Sequence, residues 1–225
     1  MLKSQPPVVR LVVVINSGFM LLPALSHKVD ALINTFGQIS PERITQLESL
    51  AAYIRLRWKE RLPVNLVFIC THNSRRSHMA QVWSQAAATY YGLTSIRTYS
   101  GGTEVTAFHP NAVRALAASG FSIEAVTSGN NPIYKISVAD GVSWEACSKR
   151  YDDITLPHTS FAAIMTCSEA DAACPFVPGA DARFPIRYQD PKISDGTPQE
   201  SATYALRADE IGREMLYVMR AAGER

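Results

Sequence analysis

Between residues 64 and 91 the chain changes its hydrophobic period within a single turn, and that turn holds a cysteine and an arginine. Residues 64–69 (VNLVFI) are a short, mostly apolar run of the kind that forms a parallel strand buried on both faces. Residues 78–91 (HMAQVWSQAAATYY) put Met79, Val82, Trp83 and Ala86 on one side of a helix. The link between them reads Cys70-Thr71-His72-Asn73-Ser74-Arg75-Arg76-Ser77. Backbone N–H groups at such a strand-to-helix turn have no helical partner, and the helix dipole favours negative charge. The pattern therefore predicts an amide-lined cradle for a tetrahedral oxyanion, with Arg76 as a planar fork for two of its oxygens. The same field favours a thiolate at Cys70 and makes it a nucleophile. A bare Cys-x5-Arg arises by chance, and most cysteines are small core residues. Asn73, which tolerates left-handed backbone, and Ser77, whose hydroxyl can donate to a thiolate, lift this loop above that background.

On these residues the loop resembles that of the low-molecular-weight protein tyrosine phosphatases and of the thioredoxin-coupled arsenate reductases that share their fold. It is most similar to a longer bacterial subgroup. Both families carry Cys-x5-Arg-Ser after the first strand and an Asp-Pro pair near the C-terminus, supplied here by Asp190 and Pro191. The similarity runs from about residue 64 to the last helix. It implies a three-layer α/β fold on a four-stranded parallel sheet, here with an N-terminal helical extension. It further implies Cys70 as nucleophile, Asp190 as general acid, and Thr71, His72, Asn73, Ser74, Arg75, Arg76 and Ser77 around the oxyanion. Spacing favours Arg76 over Arg75 as the fork, leaving Arg75 solvent-facing or adding positive potential at the pocket mouth. His72 stands where related loops commonly have glycine; it shapes the loop, meets the substrate, or is merely exposed.

Residues 165–175 (MTCSEADAACP) separate the two activities. Hydrolysis needs one cysteine, whereas arsenate reduction needs electrons that a relay of three thiols supplies. Cys167 and Cys174, seven positions apart and starting at a strand end, are spaced as in the arsenate reductases. The resemblance implies that Cys167 attacks Cys70, that Cys174 then attacks Cys167, and that thioredoxin reduces the resulting disulfide. Residues 168–174 must rearrange for this, because a helical spacing holds the thiols apart. Arsenate reductase is thus the expectation. The alternative is a phosphatase acting on phosphotyrosine or small phosphate monoesters, and a third possibility is a thiol-based oxyanion sensor. Lys192-Ile193-Ser194 follows Asp-Pro where phosphotyrosine-directed members often place aromatics, and Arg75 stands where they tend to carry a second cysteine. Gln81 stands where some relatives bind potassium through a glutamate, so no cation site is expected. No metal or other cofactor is expected either, since Cys167 and Cys174 are not a CxxC pair.

At 225 residues, 47% hydrophobic and 19% charged, the chain suits one well-cored domain with an extension. A net charge of +2 gives no reason to invoke nucleic acid. The four cysteines, Cys147 included and read as incidental, are too scattered for a secreted disulfide framework. A thiolate mechanism needs a reducing compartment, and cytoplasm is the expectation. Residues 1–39 read as a partly disordered extension. Their apolar stretches, 11–15 and 19–25, are broken by Asn16, Ser17 and Gly18, too short to span a membrane and without a signal cleavage site. A start at Met20 is also open. An accessory helix occupies 40–62, with Ser40 as N-cap and Pro41 at the first position. The catalytic part, 63–225, continues with strands at 95–99, 161–166 and 184–188 and helices at 110–120 and about 198–220. Residues 122–160, with a hairpin signal at 139–141, read as a flap beside the pocket carrying Tyr134 and Trp144. Cys70, Cys167 and Asp190 each follow a strand, so one sheet edge gathers them.

Overall fold

The computed structural model describes residues 20–174 and 176–224. The apolar stretch 11–15 and the rest of 1–19 lie outside them. Four parallel strands, β1 (Val64–Cys70), β2 (Ile96–Gly102), β6 (Phe161–Met165) and β7 (Ala180–Phe184), form a sheet in the order β2-β1-β6-β7. Between them in sequence, β3 (Ser122–Ala125), β4 (Tyr134–Ala139) and β5 (Val142–Ala146) make a separate antiparallel sheet. The helices are α1 (Pro23–Ile33), α2 (Pro41–Lys59), α3 (Arg76–Tyr90), α4 (Pro110–Ala118), α5 (Ser168–Ala173) and α6 (Glu200–Gly223). Among the described residues, no helix is long and apolar enough to cross a membrane.

Side chains alternate across β1 and β6, and the sheet faces separate accordingly. Leu66, Phe68, Ala162 and Ile164 join one large core with residues from α1, α2, α3, α4 and α6. Val67, Ile69, Ala163 and Met165 join a small one with Cys70, Leu156, Cys167, Ala170, Cys174 and Val177. On the large side α3 and α6 approach closely at Gly212, where a Cβ would stand 2.7 Å from the Trp83 ring. Trp83 meets Phe121 edge to face with centroids 4.9 Å apart, an arrangement that aromatic quadrupoles favour.

Three expectations change. Residues 20–39, read as partly disordered, are folded: Leu22 N–H donates to the Val138 carbonyl at 2.9 Å, and Leu25, Val29 and Leu32 of α1 are buried in the large core. Their apolar spacing is a helix face seeking cover. The fourth strand is Ala180–Phe184 instead of 184–188. Pro185 has no N–H for a ladder, so the strand ends before it, although Tyr188 N–H still reaches the Thr166 carbonyl at 3.0 Å. The region 122–160, read as an inserted flap beside the pocket, packs into the body of the fold. Its β4–β5 hairpin turns at Asp140-Gly141, and Ile136, Val138 and Ala146 belong to the large core. Trp144 lines a groove of about 450 Å³ with Gln81 and Thr98, apart from the Cys70 loop. Ser40 caps α2 as expected, its Oγ accepting from Arg43 N–H at 3.2 Å.

Candidate active site

The Cys70 loop is braced from below by the segment that follows β5. Gly101 and Gly102 end β2 beneath it, and a Cβ on Gly102 would lie 2.6 Å from the Asn73 nitrogen. Only glycine lets the loop descend this far. Gly102 N–H donates to the Lys149 carbonyl and Tyr151 N–H to the Gly102 carbonyl, each at 2.9 Å. Ser148 Oγ donates to the His72 carbonyl at 3.0 Å.

From that brace a chain of donors leads to the sulfur. Lys149 N–H donates to Asn73 Oδ1 at 2.8 Å, which fixes which end of the Asn73 amide is oxygen. The amide Nδ2 then donates to Ser77 Oγ at 2.9 Å. Ser77 Oγ keeps its own hydrogen free for Cys70 Sγ, 3.1 Å away, and donates to that sulfur when it is a thiolate. Asn73 takes φ +42°, a left-handed conformation that asparagine accepts more readily than most residues. Cys70 is buried at the end of β1, and residues 71–75 carry the chain from it to the start of α3 at Arg76. Among the described residues, the N–H groups of residues 72–77 donate to no protein group. They are left free to donate to a bound group, and free amides before a helix N-terminus suit an oxyanion.

Arg76 is buried at the first position of α3 and faces the Asp-Pro segment. One terminal nitrogen donates to the Tyr188 carbonyl at 3.2 Å, the other to Asp190 Oδ2 at 2.7 Å, and Glu169 lies 3.7 Å off. Its Nε is buried without a partner among the described residues. Asp190 also caps the turn after it, with Oδ1 accepting from Lys192 N–H at 3.1 Å. An open cleft of about 780 Å³ runs over Arg76, Asp190, Glu169, Gln189, Lys192 and Ile193.

Thr71 and Cys167 meet across the sheet edge, Oγ1 to Sγ at 3.5 Å. Cys167 is fully buried and caps α5, its sulfur accepting from Ala170 N–H at 3.3 Å. Burial pushes its thiol up from the ordinary range, against the opposing hydrogen bonds from Thr71 and Ala170. Cys174 lies at the other end of α5, where its carbonyl accepts from Arg183 Nε at 3.0 Å. Seven helical steps span about 10 Å, beyond the roughly 4–7 Å between Cα atoms that a disulfide allows.

Cys70, Ser77 and Asn73 are thus joined by hydrogen bonds, Arg76 meets Asp190, and Thr71 meets Cys167, with Cys174 standing off by one short helix. Arg75 is neither solvent-facing nor at the mouth. It is buried, with Nε donating to Tyr204 Oη at 2.5 Å and a terminal nitrogen to Asp195 Oδ2 at 2.7 Å. Its side chain ties the loop to α6 and contributes nothing to the cradle. The His72 ring is part-exposed, 3.4 Å from Glu104. Gln81 is spent on the Thr98 carbonyl at 3.1 Å. Lys149 and Ser148 carried no signal as site residues, because one acts through its backbone and both lie over 70 positions from their partners.

Fold and loop together place a buried cysteine, followed five residues on by a buried arginine, at the carboxyl edge of a parallel sheet. Residues 65–140 match the model of the low molecular weight phosphotyrosine protein phosphatase family. An arsenate reductase of Halalkalibacterium halodurans is 30% identical over 151 residues, 67% of this chain and 91% of that protein. One from Bacillus subtilis is 29% identical over the same shares. Among solved structures, a YwlE mutant from Bacillus subtilis superposes with a TM-score of 0.50 at 18% identity, covering 70% of this chain and 97% of that one, a likeness of fold. The chain belongs to the family of low-molecular-weight phosphatases and arsenate reductases.

Proposed function

We propose that this protein is an arsenate reductase that works by a cysteine relay, with a thioredoxin-type dithiol as electron donor. Cys70 thiolate attacks arsenic; an As–S bond forms and an oxygen leaves as water, taking its proton from Asp190. The loop amides and Arg76 hold the remaining oxygens. A bound dianion competes with Asp190 for the Arg76 guanidinium and so frees the carboxyl to serve as the acid. Cys167 thiolate then attacks Cys70 sulfur. An S–S bond forms, the As–S bond breaks, and its electron pair stays on arsenic, which leaves as arsenite. Cys174 attacks Cys167 and expels Cys70, leaving a 167–174 disulfide for the external dithiol to reduce. All four cysteines are free, as the resting state of such a relay requires, and a reducing compartment such as the cytoplasm suits them.

The observation that carries this assignment is the Cys167 sulfur, 3.5 Å from the Thr71 hydroxyl, with Cys174 at the far end of the same short helix. A simple hydrolase has no use for either thiol. One feature favours phosphoester hydrolysis instead: the open cleft beside Arg76 and Asp190 leaves room for a group attached to the oxyanion. A Cys167→Ser variant divides the two. With arsenate, thioredoxin and its reductase, the variant loses turnover while still hydrolysing an aryl phosphate. Arsenate turnover at the wild-type rate would eliminate the relay.

A further inference from the structure

We propose that Arg43, in the helix N-terminal to the catalytic sheet, is a positioning residue for the proton donor Asp190; the inference rests on Asp190 having that role. Ser40 and Pro41 start α2 at a defined point and so place Arg43 in its first turn. The guanidinium then faces inward and meets Glu214 of α6 in a bidentate pair, Nε to Oε1 at 2.9 Å and a terminal nitrogen to Oε2 at 2.8 Å. Glu214 is only 4% exposed, so the pair is held away from solvent.

What this pair grips is the segment that carries Asp190. The nitrogen that meets Oε2 also donates to the Arg187 carbonyl at 3.1 Å. The guanidinium plane lies over the Tyr188 ring at 4.8 Å. Tyr188 is buried, its N–H bonded to the Thr166 carbonyl, and its own carbonyl accepts from Arg76 at 3.2 Å. Two residues on, Asp190 meets the other arm of Arg76 at 2.7 Å. Arg43 therefore holds residues 187 and 188 by backbone and ring together, and those residues set where the Asp190 carboxyl stands relative to Arg76 and Cys70. Pro185 keeps this stretch out of the sheet, so no strand ladder holds it in place. The helix thus supplies what strand pairing does not.

The test compares an aryl phosphate with a poor leaving group, phenyl phosphate, and one with a good leaving group, 2,4-dinitrophenyl phosphate. A poor leaving group needs the acid and a good one does not. Arg43→Gln slows phenyl phosphate turnover about 10- to 100-fold through kcat and the activated ester far less, a bias shared with Asp190→Asn. The double variant is no slower than Asp190→Asn alone. Arg43→Lys keeps a charge opposite Glu214, and with it the fold, but lacks the planar fork, so it shows the same bias more weakly. Equal slowing of both esters, or none, overturns the proposal. If the wild type hydrolyses neither ester, the Asp190 carboxyl ¹³C resonance, assigned through Asp190→Asn, decides instead. It moves in Arg43→Lys if Arg43 sets the segment, and an unmoved resonance refutes the clamp whatever the reaction proves to be.

Discussion

On one face of the central sheet, Leu66, Phe68, Ala162 and Ile164 share a core with Leu50, Trp83, Leu116 and Met215, all fully buried and drawn from four helices. On the other, Val67, Ile69, Ala163 and Met165 are covered by Ala170 of the six-residue α5, by its flanking Cys167 and Cys174, and by loop residues such as Leu156 and Val177. A helix of six residues is far too short to hold itself together. α5 depends on its ends: the Cys167 sulfur at one, and Arg183 and Arg187 on the Asp171 carboxylate near the other. The Cys70–Ser77 loop links the two faces: it leads into α3 of the thick one, while Cys70 itself packs with Cys167 and Cys174 on the thin one. The proposed relay needs this loop fixed and α5 mobile.

The largest expected effect falls on the fixed part. Cys70→Ser leaves the Ser77 and Asn73 bonds available and the fold intact, yet removes the nucleophile. Turnover of arsenate and of aryl phosphate should both fall by at least about 10³-fold, read from kcat under saturating substrate. Turnover that survived would place the chemistry elsewhere.

Matched truncations measure the contrast between the faces directly. Leu50→Ala, fully enclosed on the thick face, should cost about 4–5 kcal/mol, near the top of the range for buried leucines. Leu156→Ala, 6% exposed under a loop that can settle into the gap, should cost about 2 kcal/mol or less. Urea unfolding midpoints at unchanged slope report both. Equal losses would erase the distinction.

How far the sequence discloses this arrangement depends on how local the signal is. The strand, turn and helix from Val64 to Tyr90 are legible because each is written in adjacent residues, and the buried face of α6 at Tyr204, Ile211, Met215 and Val218 is legible from helical spacing. β7 is hidden: it is an edge strand reading ADARF, its charges tolerated because Asp181 and Arg183 find partners. The more apolar run after it looks more like a strand and is denied by Pro185. Arg75 is misread for another reason. Its partners Asp195 and Tyr204 lie 120 and 129 positions away, and nothing in the loop announces them. The strand pattern put Asp190 and Cys167 at the sheet edge, but their roles and that of Cys174 were suggested only by a family resemblance, since an Asp-Pro pair and scattered cysteines are common in loops.

Acid should bear on the thick face through His78. The ring is fully buried, stacked on Phe108 at 4.1 Å, with Nδ1 3.1 Å from Ser100 Oγ. Desolvation, aided by the Lys149 charge, pulls its pKa down from 6.5 to about 3. Below about pH 6.5 the unfolded chain takes up a proton that the folded chain refuses. This stability is therefore full above that pH and is lost as pH falls toward 3, at up to about 1.4 kcal/mol per unit. His78→Asn should flatten the slope, so that its deficit against the wild type shrinks between about pH 6 and 4 in urea titrations. Parallel slopes would mean that the ring is not excluded from solvent as the packing indicates.

The smallest effect is the most direct probe of the thin face. Native-state hydrogen exchange should show Asp171 and Cys174 amides, bonded to the Cys167 and Ala170 carbonyls at 3.1 and 2.9 Å, opening well below the global free energy. The amides of Val82 and Trp83 in α3 should exchange only near global unfolding. Substituting the cap sharpens the comparison. Serine is a better N-cap than a thiol, so Cys167→Ser should slow exchange across α5 a few-fold, by roughly 0.5–1 kcal/mol, while Cys167→Ala hastens it. Neither change should reach α3. If α5 proved as slow to open as α3, the relay would lack the local unfolding that brings Cys174 to Cys167, and the disulfide step would need a different partner thiol.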